Sequence, residues 1–177
     1  MSFEPPEDAP RGTSPLPPPP SSCRYGQVTL LFDSLTEGDA KRGFVPGYRF
    51  RIQNDHLIDV GILHVRVGDT RHVQIAAGHI GYEVQKTYRG HGFAGDACLA
   101  IAPWIAHQWG SVLITVDPDN VPSIRTIERL GAVFLDEVAV PQDDPHYQRG
   151  SFRKRRYRWS PEETRLSHRE QTEGNPN

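Results

Sequence analysis

Between positions 79 and 94 the chain reads His-Ile-Gly-Tyr-Glu-Val-Gln-Lys-Thr-Tyr-Arg-Gly-His-Gly-Phe-Ala. It predicts a strand, a short turn, and then a helix entered through Gly90 and Gly92. A chain built this way leaves a row of backbone N–H groups without partners at the positive end of a helix. Such a row suits phosphate, so the segment predicts a ligand carrying a diphosphate.

The rest of the chain supplies a sheet around that segment. Strands are expected over 28–32, 48–52, 57–67 and 73–85, with Gly68-Asp69-Thr70 as a hairpin turn and Gly78 and Gly81 as a bulge or a close backbone approach. A helical turn is expected near 36–42. A helix follows over 92–109, with Ala94, Ala97, Cys98, Ile101, Ile105 and Trp109 as its buried stripe and a kink at Pro103. Val112-Leu113-Ile114-Thr115-Val116 is a continuous apolar strand of the sheet centre. Asn120 caps a second helix carrying Ile124, Ile127 and Leu130, which Gly131 ends. Strands over 132–140 and 151–159 flank a polar loop at 141–150. A helical turn is expected near 162–169. Together these elements predict an α+β fold, a mixed and mostly antiparallel sheet of six or seven strands flanked by helices.

With 177 residues, the chain suits one domain between tails. We place a proline-rich tail at 1–24, where Pro17-Pro18-Pro19-Pro20 and the surrounding polar residues bury little apolar surface. The domain occupies 25–160 and a polar tail 161–177. A net charge of −2 gives no global attraction to nucleic acid or to an anionic membrane. The basic strand Arg153-Lys154-Arg155-Arg156 reads as an exposed sheet face. No apolar run reaches the roughly 18 residues of a membrane span, and no secretory pattern is seen at the N-terminus. Cys23 and Cys98 read as two separate thiols of a cytoplasmic protein. His64, His72, His79 and His91 follow no compact ligand spacing, so no metal is expected.

Two families of nucleotide ligand compete for the glycine segment. Gly90-x-Gly92-x-x-Gly95 matches the dinucleotide fingerprint, with Asp117 as the ribose acid. That fingerprint follows its strand directly, whereas Lys86-Thr87-Tyr88-Arg89 intervenes here; several antiparallel strands precede it, and too little chain follows for a doubly wound sheet. Arg89-x-x-Gly92-x-Ala94 instead resembles the acetyl-CoA loop of the GNAT N-acetyltransferases. Asn120-x-x-Ser123, with Arg129-Leu130-Gly131-Ala132-Val133-Phe134 after it, resembles that family's second motif at the family's spacing. The stretches at 78–84 and 155–159 resemble a bacterial subgroup. The likeness covers about 27–159.

The resemblance implies a sheet whose strand before the loop splays from its neighbour, with the pantetheine arm lying in the opening. Tyr82, Glu83 and Val84 would make backbone contacts to it, and the Val84 N–H would face the thioester oxygen. Arg89, Gly90, His91, Gly92, Phe93 and Ala94 would give N–H groups to the diphosphate. Asn120 would meet the pantetheine from the opposite lip or only cap its helix. Ser123 would lie near the thiol or be a plain helix residue.

The implied reaction is acetyl transfer from acetyl-CoA to a primary amine by direct attack in a ternary complex. Ile127 stands where many family members carry an acidic tyrosine, so Tyr157 or Tyr147 could replace it. For the base, Glu83 and His79 are candidates. The alternative is a non-catalytic acyl-CoA sensor. The acceptor, a small molecule or peptide amine, would be chosen by 34–47 and 140–152, with Asp136, Asp143 and Asp144 available to attract a cation. A homodimer is compatible with the resemblance.

Overall fold

Period-two alternation dominates the first third of the chain, and there it builds a meander. A computed structural model describes residues 15–162. Strands β1 (Ser22–Tyr25), β2 (Val28–Thr36), β3 (Gly47–Asn54), β4 (Asp59–Arg66) and β5 (Ile80–Val84) pair antiparallel in chain order. Helix α1 (Phe93–Trp109) then crosses the sheet, so β6 (Val112–Val116) lies parallel to β5. Helix α2 (Val121–Arg129), β7 (Val133–Ala139), the short α3 (Pro145–Gln148) and β8 (Arg153–Trp159) follow, and β8 inserts between β6 and β7. The α+β expectation holds, with eight strands in place of six or seven.

The alternation decides which face each residue serves. On β3 and β4, Tyr48, Phe50, Ile52, Leu63 and Val65 face α1, whose Ala97, Cys98, Ile101 and Ile105 complete the core. Full burial of each large apolar side chain contributes about 1.5–3 kcal/mol. Burial pushes the Cys98 thiol up to about 12. Trp104 packs edge-on against Tyr48, Phe50 and Trp109, and its buried Nε1 has no partner among the described residues. Helix α1 continues through Pro103.

Three segments depart from the sequence reading. The sheet begins at Ser22, inside the stretch assigned to the tail, and the Tyr48 hydroxyl donates to the Pro17 carbonyl. Residues 73–77 form a π-helical turn rather than the start of a strand, closed by Gly78 N–H on the Val73 carbonyl at 2.8 Å. A run this short, with Gln74 among four apolar residues, carries no period of its own. What fixes it is the Thr70 hydroxyl at the Val73 N–H and the left-handed Gly78. Gly78 also lies tight against β6: an added Cβ would stand 3.0 Å from the Leu113 carbonyl oxygen. At Gly81 the β4–β5 register runs without a bulge. In the expected loop at 141–150, Asp144 caps α3. The expected turn near 162–169 falls, beyond Glu162, outside the described residues, as do 1–14.

Candidate active site

Parallel strands β5 and β6 meet through one residue pair, Ile80 with Ile114, and then separate. The separation opens a cleft of about 360 Å³. Strand β5 forms one wall, with Ile80, Gly81, Tyr82 and Glu83; the end of β6 and the start of α2 form the other, with Val116, Asp117, Asn120, Ser123 and Ile127.

The mouth of the splay is pinned by a histidine. His79 is buried, and its Nδ1 accepts the Leu113 N–H at 2.9 Å. Nδ1 is therefore unprotonated, so Nε2 carries the proton and donates to Asp69 Oδ1 at 3.0 Å. The backbone repeats the link in the other sense, His79 N–H to the Leu113 carbonyl at 2.8 Å. Both ring nitrogens being engaged, His79 serves as a latch between strands and is not placed as a base.

Ladder bonds settle which amides of β5 face the opening. Arg66 N–H bonds the His79 carbonyl and Gln85 N–H the Val60 carbonyl. In an antiparallel ladder, alternate pairs exchange hydrogen bonds. Glu83 therefore turns its backbone towards β4, while Tyr82 and Val84 turn theirs towards the cleft. Glu83 thus departs from the backbone role expected of it and offers only its exposed side chain, on the face away from α1. The Tyr82 side chain crosses to α2, its hydroxyl 3.5 Å from the Ser123 carbonyl, and burial raises its pKa.

Beyond β5 the chain makes a 3₁₀ turn at Lys86–Tyr88 and enters α1. Gly90 and Gly92 have φ of 84° and 80°, a region costly for other residues. An added Cβ at either would meet nothing within 4 Å. No amide from 90 to 95 has a protein acceptor among the described residues, and Gly92 caps α1 without a side chain. Arg89 differs from its expected role: its N–H bonds the Lys86 carbonyl at 3.4 Å, and its Nε donates to the Val84 carbonyl at 2.9 Å, folding the loop onto the strand end. His91 Nδ1 donates to the Tyr88 and Arg89 carbonyls, each at 3.1 Å, and its ring stacks on Phe93.

On the far lip, Asn120 Oδ1 accepts the Ser123 N–H at 3.3 Å, so one side chain both caps α2 and lines the cleft. Ile127 lines it too and has no proton to give. Tyr157 does not reach the cleft: it is buried between β6 and β7, packs on Phe134 and donates to Glu128 at 3.3 Å. Tyr147 packs on Phe152, outside the lining.

Several lining residues were not singled out for this role in the sequence. His64 and Arg66 share the face of Glu83 and Gly81, because each lies two residues from the next along β4. The backbone of His64 pairs with Gly81, while its ring makes no hydrogen bond among the described residues. Burial, the Arg66 charge and the Arg49 charge lower its pKa against the pull of Glu83. His146 and Lys154 close the inner end. Burial and the charges of Lys154, Arg149 and His72 outweigh Asp144 and push His146 down to about 4. Lys154 pairs with Asp117 Oδ1 at 2.7 Å. Burial alone would raise Asp117, but hydrogen bonds from Lys154 and Ser151 hold it below the usual carboxylate range. Asp144 binds His72 at 2.7 Å. His64, Arg66 and Lys154 are polar residues of ordinary strands and His146 lies in a polar loop, so only the fold brings them together.

A mixed sheet parted at its one parallel pair, with a free row of amides at the next helix, defines a class of acyl-CoA-type folds. The chain belongs to the GNAT acetyltransferase family, whose domain model matches residues 17–133. Strand β8 and helix α3, which bring Lys154 and His146 to the cleft, lie beyond the match. No curated protein matches. Among solved structures, the chain is similar to Mycobacterium smegmatis RimJ in complex with CoA-disulfide, at 23% identity, covering 72% of this chain and 60% of that one, with a TM-score of 0.52. It is similar to a probable acetyltransferase at 18% identity, covering 66% and 64%, with a TM-score of 0.50. A putative GNAT-family acetyltransferase from Bordetella pertussis gives 17%, 64% and 65%, with a TM-score of 0.48. The first solved chains it matches are spanned over 60–65% of their length.

Proposed function

We propose that the protein transfers an acetyl group from acetyl-CoA to a primary amine, by direct attack within a ternary complex. The observation that carries this reading is the unpartnered run of amides from 90 to 95, at the end of a strand that parts from its parallel neighbour. Those amides and the positive end of α1 receive the diphosphate. The cleft-facing edge of Tyr82 and Val84 receives the pantetheine as an added strand would. Family membership supports both assignments.

The amine nitrogen attacks the thioester carbonyl, the C–N bond forms, the C–S bond breaks, and the thiolate leaves. The carbonyl oxygen gains charge on the way, and the Val84 N–H, turned to the cleft, is placed to donate to it. An alkylammonium must first lose a proton, since its pKa near ~10 keeps it charged at neutral pH. His64 takes that proton: its imidazole is neutral, lines the cleft and has free ring nitrogens among the described residues. Glu83, on the same face, attracts the ammonium. Tyr82 stays protonated through burial and borders the cleft beside Ser123, so it is the hydroxyl available to the leaving thiolate. No nucleophilic cysteine takes part: Cys98 is wholly buried.

Thermal denaturation with and without coenzyme A tests the binding half of the reading. Coenzyme A is expected to raise the melting temperature, as a ligand of the native state does, and NAD is expected to leave it unchanged. Release of free thiol from acetyl-CoA in the presence of an amine panel tests the other half. A rise with coenzyme A but no thiol release with any amine would favour a non-catalytic sensor.

A further inference from the structure

Arg66 ends β4 inside the cleft wall. Its Nη1 donates to the Ala77 carbonyl at 3.2 Å and the Gly78 carbonyl at 3.4 Å. Nε and Nη2 have no acceptor among the described residues, and no carboxylate there forms an ion pair with it. The other cation of the cleft, Lys154, is matched by Asp117. Glu83 shares the Arg66 face without pairing with it. The side chain is held over β5 by the lack of one at Gly81, where an added Cβ would stand 2.9 Å from Nη1 and 3.2 Å from Nη2.

A half-buried guanidinium with no counter-charge is costly, and the cost falls when an anion arrives. Its Nε–Nη2 edge is the planar fork that grips a carboxylate or a phosphate through two hydrogen bonds. The CoA diphosphate is not that anion. From Gly81 to Val84 the strand covers about 10 Å, and the turn at Lys86–Tyr88 follows before the loop. His64 lies two residues from Arg66 on the same face, about 7 Å along the strand. An amine at His64 and an oxyanion at Arg66 therefore belong to one short molecule.

The structure assigns Arg66 as the specificity residue of the acceptor site: the acceptor is a small amine that also carries an oxyanion, a carboxylate or a phosphate. This deepens the acyl-transfer reading and rests on it for the role of the cleft. The test compares propylamine, β-alanine and 2-aminoethyl phosphate on the wild type, R66Q, R66K and G81A. Calorimetry measures their binding to the CoA-loaded protein, and thiol release from acetyl-CoA measures turnover. The wild type is expected to bind at least one anionic amine roughly 10- to 100-fold more tightly than propylamine. The margin is read as the ratio of anionic amine to propylamine on each variant, so that the effect of the lost charge on His64 falls on both alike; R66Q removes it, R66K keeps part of it, and G81A shrinks it by displacing the guanidinium with no change of charge. Whichever of β-alanine and 2-aminoethyl phosphate holds the larger margin identifies the oxyanion.

Wild-type protein that binds all three probes alike overturns the assignment, as does an R66Q that weakens propylamine equally. The CoA-induced melting shift checks that each variant folds; should R66Q not fold, G81A decides. An anion margin without thiol release contradicts the acyl-transfer reading and leaves the Arg66 assignment standing. Thiol release with no anion margin does the reverse.

Discussion

A single imidazole sets the expected pH behaviour of the reaction. His64 is held below the usual histidine range by burial and by Arg66 and Arg49, so it is neutral at pH 7 and able to accept a proton. Its activity is lost as pH falls through that lowered value, on the acid side of an ordinary histidine near 6.5. His64→Gln is expected to lower kcat about 100-fold, the scale of one general base, with little change in the CoA-induced melting shift. The acid limb of the log kcat profile should vanish with it; a variant that keeps both rate and limb removes His64 from the mechanism. Glycines 90 and 92 were legible in the sequence because their chemistry is local: the backbone conformation itself requires them. His64 and Arg66 were not, since a histidine and an arginine two residues apart on a strand have the pattern of any exposed face. Their meaning comes from Gly81 across the ladder and from the parted strands beside it.

Elements divide in the same way. The strand over 48–52 and the helix over 92–109 were legible because their period can be read, and the strand over 112–116 because a β-branched apolar run stands between turn signals at Gly110 and Asp117-Pro118. The π-helical turn at Val73–Ala77 was not: a run as short as Val-Gln-Ile-Ala-Ala suits strand and helix alike, and Thr70 and Gly78 decide between them. That turn delivers His79 to the junction of β5 and β6. His79→Ala would leave the Leu113 N–H buried without its acceptor, at a cost of about 1–3 kcal/mol. Urea denaturation should register that loss, and hydrogen exchange at Leu113 should quicken while the β3 amides keep their protection. Unchanged exchange at Leu113 would rule out the latch.

At the scale of the molecule, the sheet consists of a meander, β1 to β5, and a three-stranded group, β6, β8 and β7, joined in the sheet through one residue pair. Helix α1 packs along the meander and touches α2, and so spans the seam from above. The seam is the site: continuous pairing between β5 and β6 would close the cleft. The other end of the meander carries a different consequence. Tyr48 is 0% exposed, burial pushes its phenol up to about 12, and the hydroxyl's acceptor is the carbonyl of Pro17, thirty-one positions away. The segment at Pro17 is thus a strap across the bottom of the core rather than packaging. Protein cut after Pro20 should melt earlier than protein cut after Thr13, with Tyr48→Phe recovering part of the difference, so the smallest chain that folds well starts upstream of its first strand.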